Sequence, residues 1–243
     1  MRLIRYALTL CPVLLLMAAI TPPLTEKNSK ISSLGESQIS GVLPAWLNSS
    51  VYTDWKLSKT GLSKVAFEEA VKGYTYLVEK NQVINPGVLT IIDYSKPSSQ
   101  KRLFILDMKN GRLLLNTWVA HGRNSGLVYA SDFSNESESH KSSLGFYITR
   151  GTYTGINGYS LKLAGCEQGI NDHAAERAIV IHGAEYVSEA VIRSKGCLGR
   201  SFGCPAVPVA VHKKLIDLIK NGSCVYLYHP AKKYHLRSKI LDS

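Results

Sequence analysis

A chain of 243 residues has room for one substantial domain behind a leader, or for two small domains. Its apolar fraction of 45% is that of an ordinary globular protein with a proper core. Lysine and arginine number 29 against 18 acids, a formal net charge of +11. That excess favours anionic surfaces such as membrane or cell envelope, and simple solubility explains it equally well. No basic stripe interleaved with aromatic residues is present, so no nucleic-acid partner is assigned.

The chain opens on MRLIRYALTLCPVLLLMAAITPP, in which Arg2 and Arg5 precede an apolar run from Ala7 to Ile20. The run is shorter than the roughly 20 apolar residues of a spanning helix, so residues 1–22 read as a secretory signal. An uncleaved N-terminal anchor, with membrane association through this segment, is the alternative. The expectation is an exported protein of the periplasm or cell envelope. Residues 23–60 read as a polar tether and N-terminal segment.

Residues 61–235 read as one domain with an N-terminal helix. Leu62, Val65, Ala66, Ala70, Val71, Tyr74, Leu77 and Val78 recur at helical spacing until Asn85-Pro86-Gly87 interrupts. VLTIIDY, RLFILDM and RLLLNTWVA are β-rich, and Asn110-Gly111 predicts a hairpin between the last two. His121 to Ser143 is polar and reads as a surface loop. LGFYITRG, AIVIHGA and CVYLYHP read as further strands. Pro208 to Lys220 is an amphipathic helix, with Leu215, Ile216, Leu218 and Ile219 on its buried face and Asn221-Gly222 at its end. The lysines around His235, over 232–239, read as solvated, and 236–243 as a basic tail. The sum is a mainly β fold with peripheral α-helices, in the α+β class.

Beyond the leader stand Cys166, Cys197, Cys204 and Cys224. Two disulfides are one reading for an exported chain, but none of the four shows the C-x-x-C spacing of a zinc knuckle and no dense framework appears. A free thiol is the other reading.

Two short motifs carry chemistry. AIVIHGAEYVS places His182 at the end of a buried strand, where the chain turns at Gly183; GRSFGCPAV sets Cys204 between Gly203 and Pro205. Either residue alone reads as structural. Together they form a nucleophile and its base: imidazole removes the thiol proton and later returns it to a leaving amine. The Gly183 carbonyl is a candidate to orient the His182 ring. The Gly203 and Cys204 amides are candidate oxyanion donors, while Pro205 has no amide hydrogen to give. Arg200 is a candidate partner for a substrate carboxylate, Ser201 for orienting the turn, and Tyr186 and Ser188 for lining a groove, with packing the simpler role for Tyr186.

IHGAEYVS followed by GRSFGCPAV resembles the murein L,D-transpeptidase catalytic domain, the YkuD-type fold, in its branch with a GRSxGCPA motif. The resemblance runs from about Leu103 to His229 and implies a β-sandwich or barrel-type catalytic domain. The family pattern of a histidine, a spacer and Ser-His-Gly-Cys falls here on His182, Ser201, Gly203 and Cys204. Phe202 stands where the family has its second histidine, and Pro205-Ala206-Val207 replaces its usual downstream arginine or asparagine. The resemblance implies a Cys204 thioester on peptidoglycan stem peptides, release of terminal D-alanine, and a 3→3 cross-link to a second stem; with water as acceptor it implies an L,D-carboxypeptidase. No metal or diffusible cofactor is implied. A catalytically idle wall-binding domain is the reading of another class.

Overall fold

The computed structural model describes residues 51–243. The expected signal over 1–22, and the tether up to residue 50, lie outside these residues. No described helix is long and apolar enough to cross a membrane.

The described chain begins with the short helix α1 (Val51–Asp54) and a 3-10 turn (Leu57–Thr60). Val51 and Leu57 are buried in the main core, so residues 51–60 belong to the domain and not to a tether. The physical reason is simple: a few well-spaced apolar residues suffice to dock a polar segment.

Helix α2 (Lys64–Glu79) starts where Ser63 caps it, its hydroxyl accepting from the Ala66 amide at 3.2 Å. Ala66, Phe67, Ala70, Tyr74 and Leu77 face the sheet; Val65, expected on that face, is 51% exposed. Gly73 lets the helix come close: a methyl there would sit 2.0 Å from Cζ of Phe146. The Phe146 ring in turn stacks on Tyr226 at 4.1 Å between centroids.

Eight strands form one sheet: β1 (Val88–Asp93), β2 (Leu103–Asp107), β3 (Arg112–Thr117), β4 (Gly145–Gly155), β5 (Gly158–Gly165), β6 (Val180–Gly183), β7 (Ala206–Val207) and β8 (Cys224–Tyr228). Their spatial order is β3-β2-β1-β8-β4-β5-β6-β7. The β1–β8 and β6–β7 pairs are parallel and the others antiparallel. The two edges nearly meet, because Ala120, just past β3, bridges Ala206 of β7. The fold is therefore the expected one: mainly β, barrel-like, with peripheral helices. Between β6 and β8 the chain forms α3 (Glu189–Lys195), capped by Ser188, and α4 (Val209–Ile219), which buries Leu215, Ile216 and Ile219.

Two expected surface segments are buried in part. His121, Ser125, Ala130, Ser142 and Ser143 of the 121–143 loop are almost wholly enclosed. Burial is tolerated because their polar groups pair internally: the Gly122 amide donates to Ser142 Oγ and the Ser142 amide to Ser125 Oγ. At the C-terminus, α5 (Lys232–His235) and the residues after it are not a solvated basic tail. Tyr234, Ser238 and Ile240 are buried, and the hydroxyls of Tyr234 and Ser238 donate to the buried Glu167 carboxylate. His235 Nε2 meets Glu69 at 3.0 Å. The charged side chains point outward while a few residues between them anchor the segment.

Candidate active site

The β6–β7 register fixes the geometry of the site. His182 lies opposite Ala206 and Gly183 opposite Val207. Cys204 lies in the bend two residues before Ala206, and its contacts bring it to the start of β6. The Val180 amide donates to Cys204 Sγ at 3.5 Å, and the thiol faces the Ala178 carbonyl at 3.7 Å. Sγ and the His182 ring make no hydrogen bond with each other. All four described cysteines are free, and Cys204 is partly exposed.

His182 is a buried residue whose Nδ1 lies 2.9 Å from the Gly183 carbonyl oxygen. A carbonyl only accepts, so Nδ1 carries the hydrogen and Nε2 presents its lone pair. Burial holds the His182 pKa below the ordinary histidine range; the Gly183 bond opposes this and nearby His212 reinforces it. The imidazole is thus neutral at neutral pH, as a general base must be. Burial pushes the Cys204 thiol up, against the pull of the Val180 amide and the Arg177 charge. A thiol held protonated in this way attacks a carbonyl only when a base removes its proton. The pH profile of D-alanine release from stem peptides should therefore hold a plateau through neutral pH and fall only below the usual histidine pKa of about 6.5, as His182 protonates. An acid limb centred above that value would contradict the assignment.

Ser201 is placed to shape the turn. Its hydroxyl donates to the Cys204 carbonyl at 2.6 Å and accepts from the Gly203 amide at 3.1 Å. That second bond engages the Gly203 amide within the turn. The Cys204 amide makes no hydrogen bond among the described residues and remains the backbone donor beside the sulfur. Gly203 has φ +127°, a conformation that side chains rarely adopt, and a methyl on it would sit 2.9 Å from the Lys141 carbonyl oxygen. Its missing side chain admits the protein's own loop rather than a substrate.

Arg200 is exposed, but its Nη1 donates to the carbonyls of Arg123 and Gly126 at 3.1 and 3.3 Å, which pins the 123–126 loop. Tyr186 packs over Gly199 in a small apolar cluster with Ala120, Leu198 and Ala206. Burial first, then the nearby Cys204 sulfur, pushes its phenol up to about 12. Ser188 serves as the α3 cap. Phe202 is 65% exposed, with the Arg123 guanidinium 4.8 Å from its ring centroid and the His140 ring against it at 4.8 Å.

Three residues that sequence reasoning did not single out complete the site. Arg177 reaches the loop over Gly203, Ser142 Oγ donates to the Gly203 carbonyl at 3.0 Å, and buried Arg102 holds the 119–121 strand end. No local signal marks any of them, since an arginine or serine acquires such a role only through tertiary neighbours. Two hollows, of about 690 and 380 Å³, lie along α2 and between the 131–144 loop and α5; neither is lined by Cys204 or His182. Among the described residues, no cluster of histidine, cysteine and acidic groups could hold a metal ion.

The rolled sheet carries His182 on β6 and a partly exposed thiol, Cys204, in the turn that leads into the edge strand β7. The chain belongs to the L,D-transpeptidase catalytic domain family, whose model, YkuD_2, matches residues 58–228. No curated protein matches the chain. Among solved structures it is similar to an L,D-transpeptidase from Mycobacterium smegmatis, at 12% identity and TM-score 0.36, covering 59% of each chain. It is also similar to an L,D-transpeptidase (Yku) from Stackebrandtia nassauensis, at 13% identity and TM-score 0.36, covering 68% of this chain and 67% of that one. A third is the helical cell shape determining protein Pgp2 from Campylobacter jejuni, at 15% identity and TM-score 0.39, covering 64% of this chain and 53% of that one. The chain thus spans 59% of the first of these and 53% of the third.

Proposed function

We propose that the protein is a cysteine acyltransferase acting on peptidoglycan stem peptides, forming 3→3 cross-links through a Cys204 thioester. The observation that carries this reading is the His182–Gly183 bond, which leaves Nε2 unprotonated on the strand beside the thiol. In the first half-reaction Nε2 takes the thiol proton as Sγ attacks the carbonyl at the L-centre of the third stem residue. The Cys204 amide is the donor nearest the developing oxyanion. Collapse breaks the peptide bond, and the imidazolium returns its proton to the departing D-alanine amine. In the second half-reaction an amine of another stem attacks the thioester, loses its proton to His182 and displaces the thiolate. Sulfur and imidazole must close on one another when substrate binds, as unliganded catalytic pairs commonly do. No step needs a metal or diffusible cofactor. The substrate lies in the cell envelope, which suits the leader expected over 1–22.

Water as acceptor gives an L,D-carboxypeptidase from the same thioester. The test is incubation of the full chain with tetrapeptide-bearing muropeptides, followed by mass analysis at several acceptor concentrations. Dimers lacking one D-alanine are the expected product. Tripeptide without dimer at every concentration would replace cross-linking by hydrolysis, and no loss of D-alanine would leave only the idle wall-binding domain.

A further inference from the structure

We infer that Arg177 is the positioning residue of the nucleophile: its guanidinium clamps the 134–143 segment beside Gly203 and sets an unneutralised positive charge near Cys204 Sγ. The inference rests on Cys204 being the nucleophile, as proposed above.

The clamp consists of four donated bonds. Nη1 reaches the Ser134 carbonyl at 2.8 Å and Ser143 Oγ at 2.5 Å; Nη2 reaches Ser139 Oγ at 3.3 Å and the Lys141 carbonyl at 2.6 Å. The same Nη2 would lie 3.3 Å from a methyl on Gly203, the residue just before the cysteine. All four acceptors are neutral oxygens, and no carboxylate lies within ion-pair distance of Arg177 among the described residues. The charge is therefore not cancelled locally, although Glu136 contributes to its field.

The residues after Arg177 complete a cradle. Ala178 has φ +52°, a left-handed conformation costing about 1 kcal/mol for a residue with a Cβ. Its carbonyl is the one facing Sγ, and two residues on the Val180 amide donates to Sγ. One short stretch thus supplies a cation, a carbonyl and an amide to the cysteine turn. The other titratable groups near Sγ are Tyr186, Tyr94 and the base His182, with His212 of α4 behind the base and Lys141 paired to Asp132. Set against these groups, Arg177 is a cation with no acid in ion-pair distance among the described residues, and its field favours the thiolate. Pro205-Ala206-Val207, downstream of the cysteine, supplies no cation.

The test titrates Cys204 in the full chain by the pH dependence of iodoacetamide alkylation, with the labelled cysteine identified by peptide mass. Arg177→Gln should raise the apparent thiol pKa by about one unit and slow alkylation near pH 7.5 by about tenfold. It should also remove any preference for anionic iodoacetate over neutral iodoacetamide. Ser139→Ala with Ser143→Ala loosens the clamp but keeps the charge, and should leave the thiol titration in place. The inference is overturned if Arg177→Gln leaves the titration unchanged, or if the double serine variant shifts it equally. Failure of the underlying reading looks different: alkylation indifferent to His182→Ala in the otherwise native protein removes the nucleophile–base pair itself, whatever Arg177 does.

Discussion

Turnover of tetrapeptide stems is expected to fall at least about a thousandfold in Cys204→Ala, a barrier increase of roughly 4 kcal/mol. The magnitude follows from the loss of a covalent step, not of a binding contact, so kcat should collapse while donor affinity changes little. Folding should be little affected, because the side chain is partly exposed and alanine forfeits only two weak sulfur hydrogen bonds, at 3.5 and 3.7 Å, and one small packing group. His182→Ala in the same background should add almost nothing further, since base and nucleophile act as a unit. Mass detection of a stem-peptide adduct on the wild-type cysteine, absent from the variant, is the direct check. Equal products from both proteins would dismiss the thioester mechanism.

The largest effect on stability is expected from Arg102→Met. Arg102 is fully enclosed, with its guanidinium 4.9 Å from the Tyr94 ring centroid. Nε and Nη2 donate to the Val119 carbonyl at 3.0 and 2.9 Å, Nη1 to the Lys96 carbonyl at 2.7 Å, and Nη2 to His121 Nδ1 at 2.7 Å. Because arginine only donates, His121 accepts at Nδ1 and gives its Nε2 hydrogen to the Gly126 carbonyl at 3.2 Å. Burial, followed by the Arg102 charge, holds the His121 pKa down to about 4, so the imidazole stays neutral. Methionine would fill part of the space and leave three acceptors unpaired, two of them buried. A loss of about 3–5 kcal/mol in urea unfolding is expected. The damage would reach the site, since the His121 carbonyl accepts from the Ser201 amide and Ala120 bridges Ala206. A cost below about 1 kcal/mol would show that the cation is dispensable to the barrel.

What the amino-acid order made legible follows from how much of each signal is local. VLTIID, LFILD and CVYLY are apolar almost throughout because both faces of β1, β2 and β8 are covered, and such runs are readable without knowing the partners. GYSLKLAG of β5 was not among the expected strands, although Tyr159, Leu161 and Leu163 alternate with Ser160 and Lys162 at period two. β7 has two residues and no readable period, and α3 buries none of its residues, so neither leaves an apolar pattern. His182 with Gly183 was accessible because a strand end and the glycine after it are adjacent in sequence. The engagement of Gly203 by Ser201, the diversion of Arg200 to loop carbonyls and the clamp of Arg177 all depend on which segments meet in space. So does the anchoring of the C-terminal residues, where Tyr234 and Ile240 are single apolar side chains among charges and give no periodic signal.

The near-closure of the sheet bears on when the turn that carries Cys204 takes shape. Leu89 must find Cys224 and Ala120 must find Ala206 before the turn carrying residue 204 is held in place. Contacts so distant along the chain form late, after the entropy of closing long loops has been overcome. Until then residue 204 is an ordinary cysteine in a flexible peptide, without its contacts to Val180 and Ala178. A newly made chain therefore lacks the geometry of this turn, which arrives together with the finished architecture.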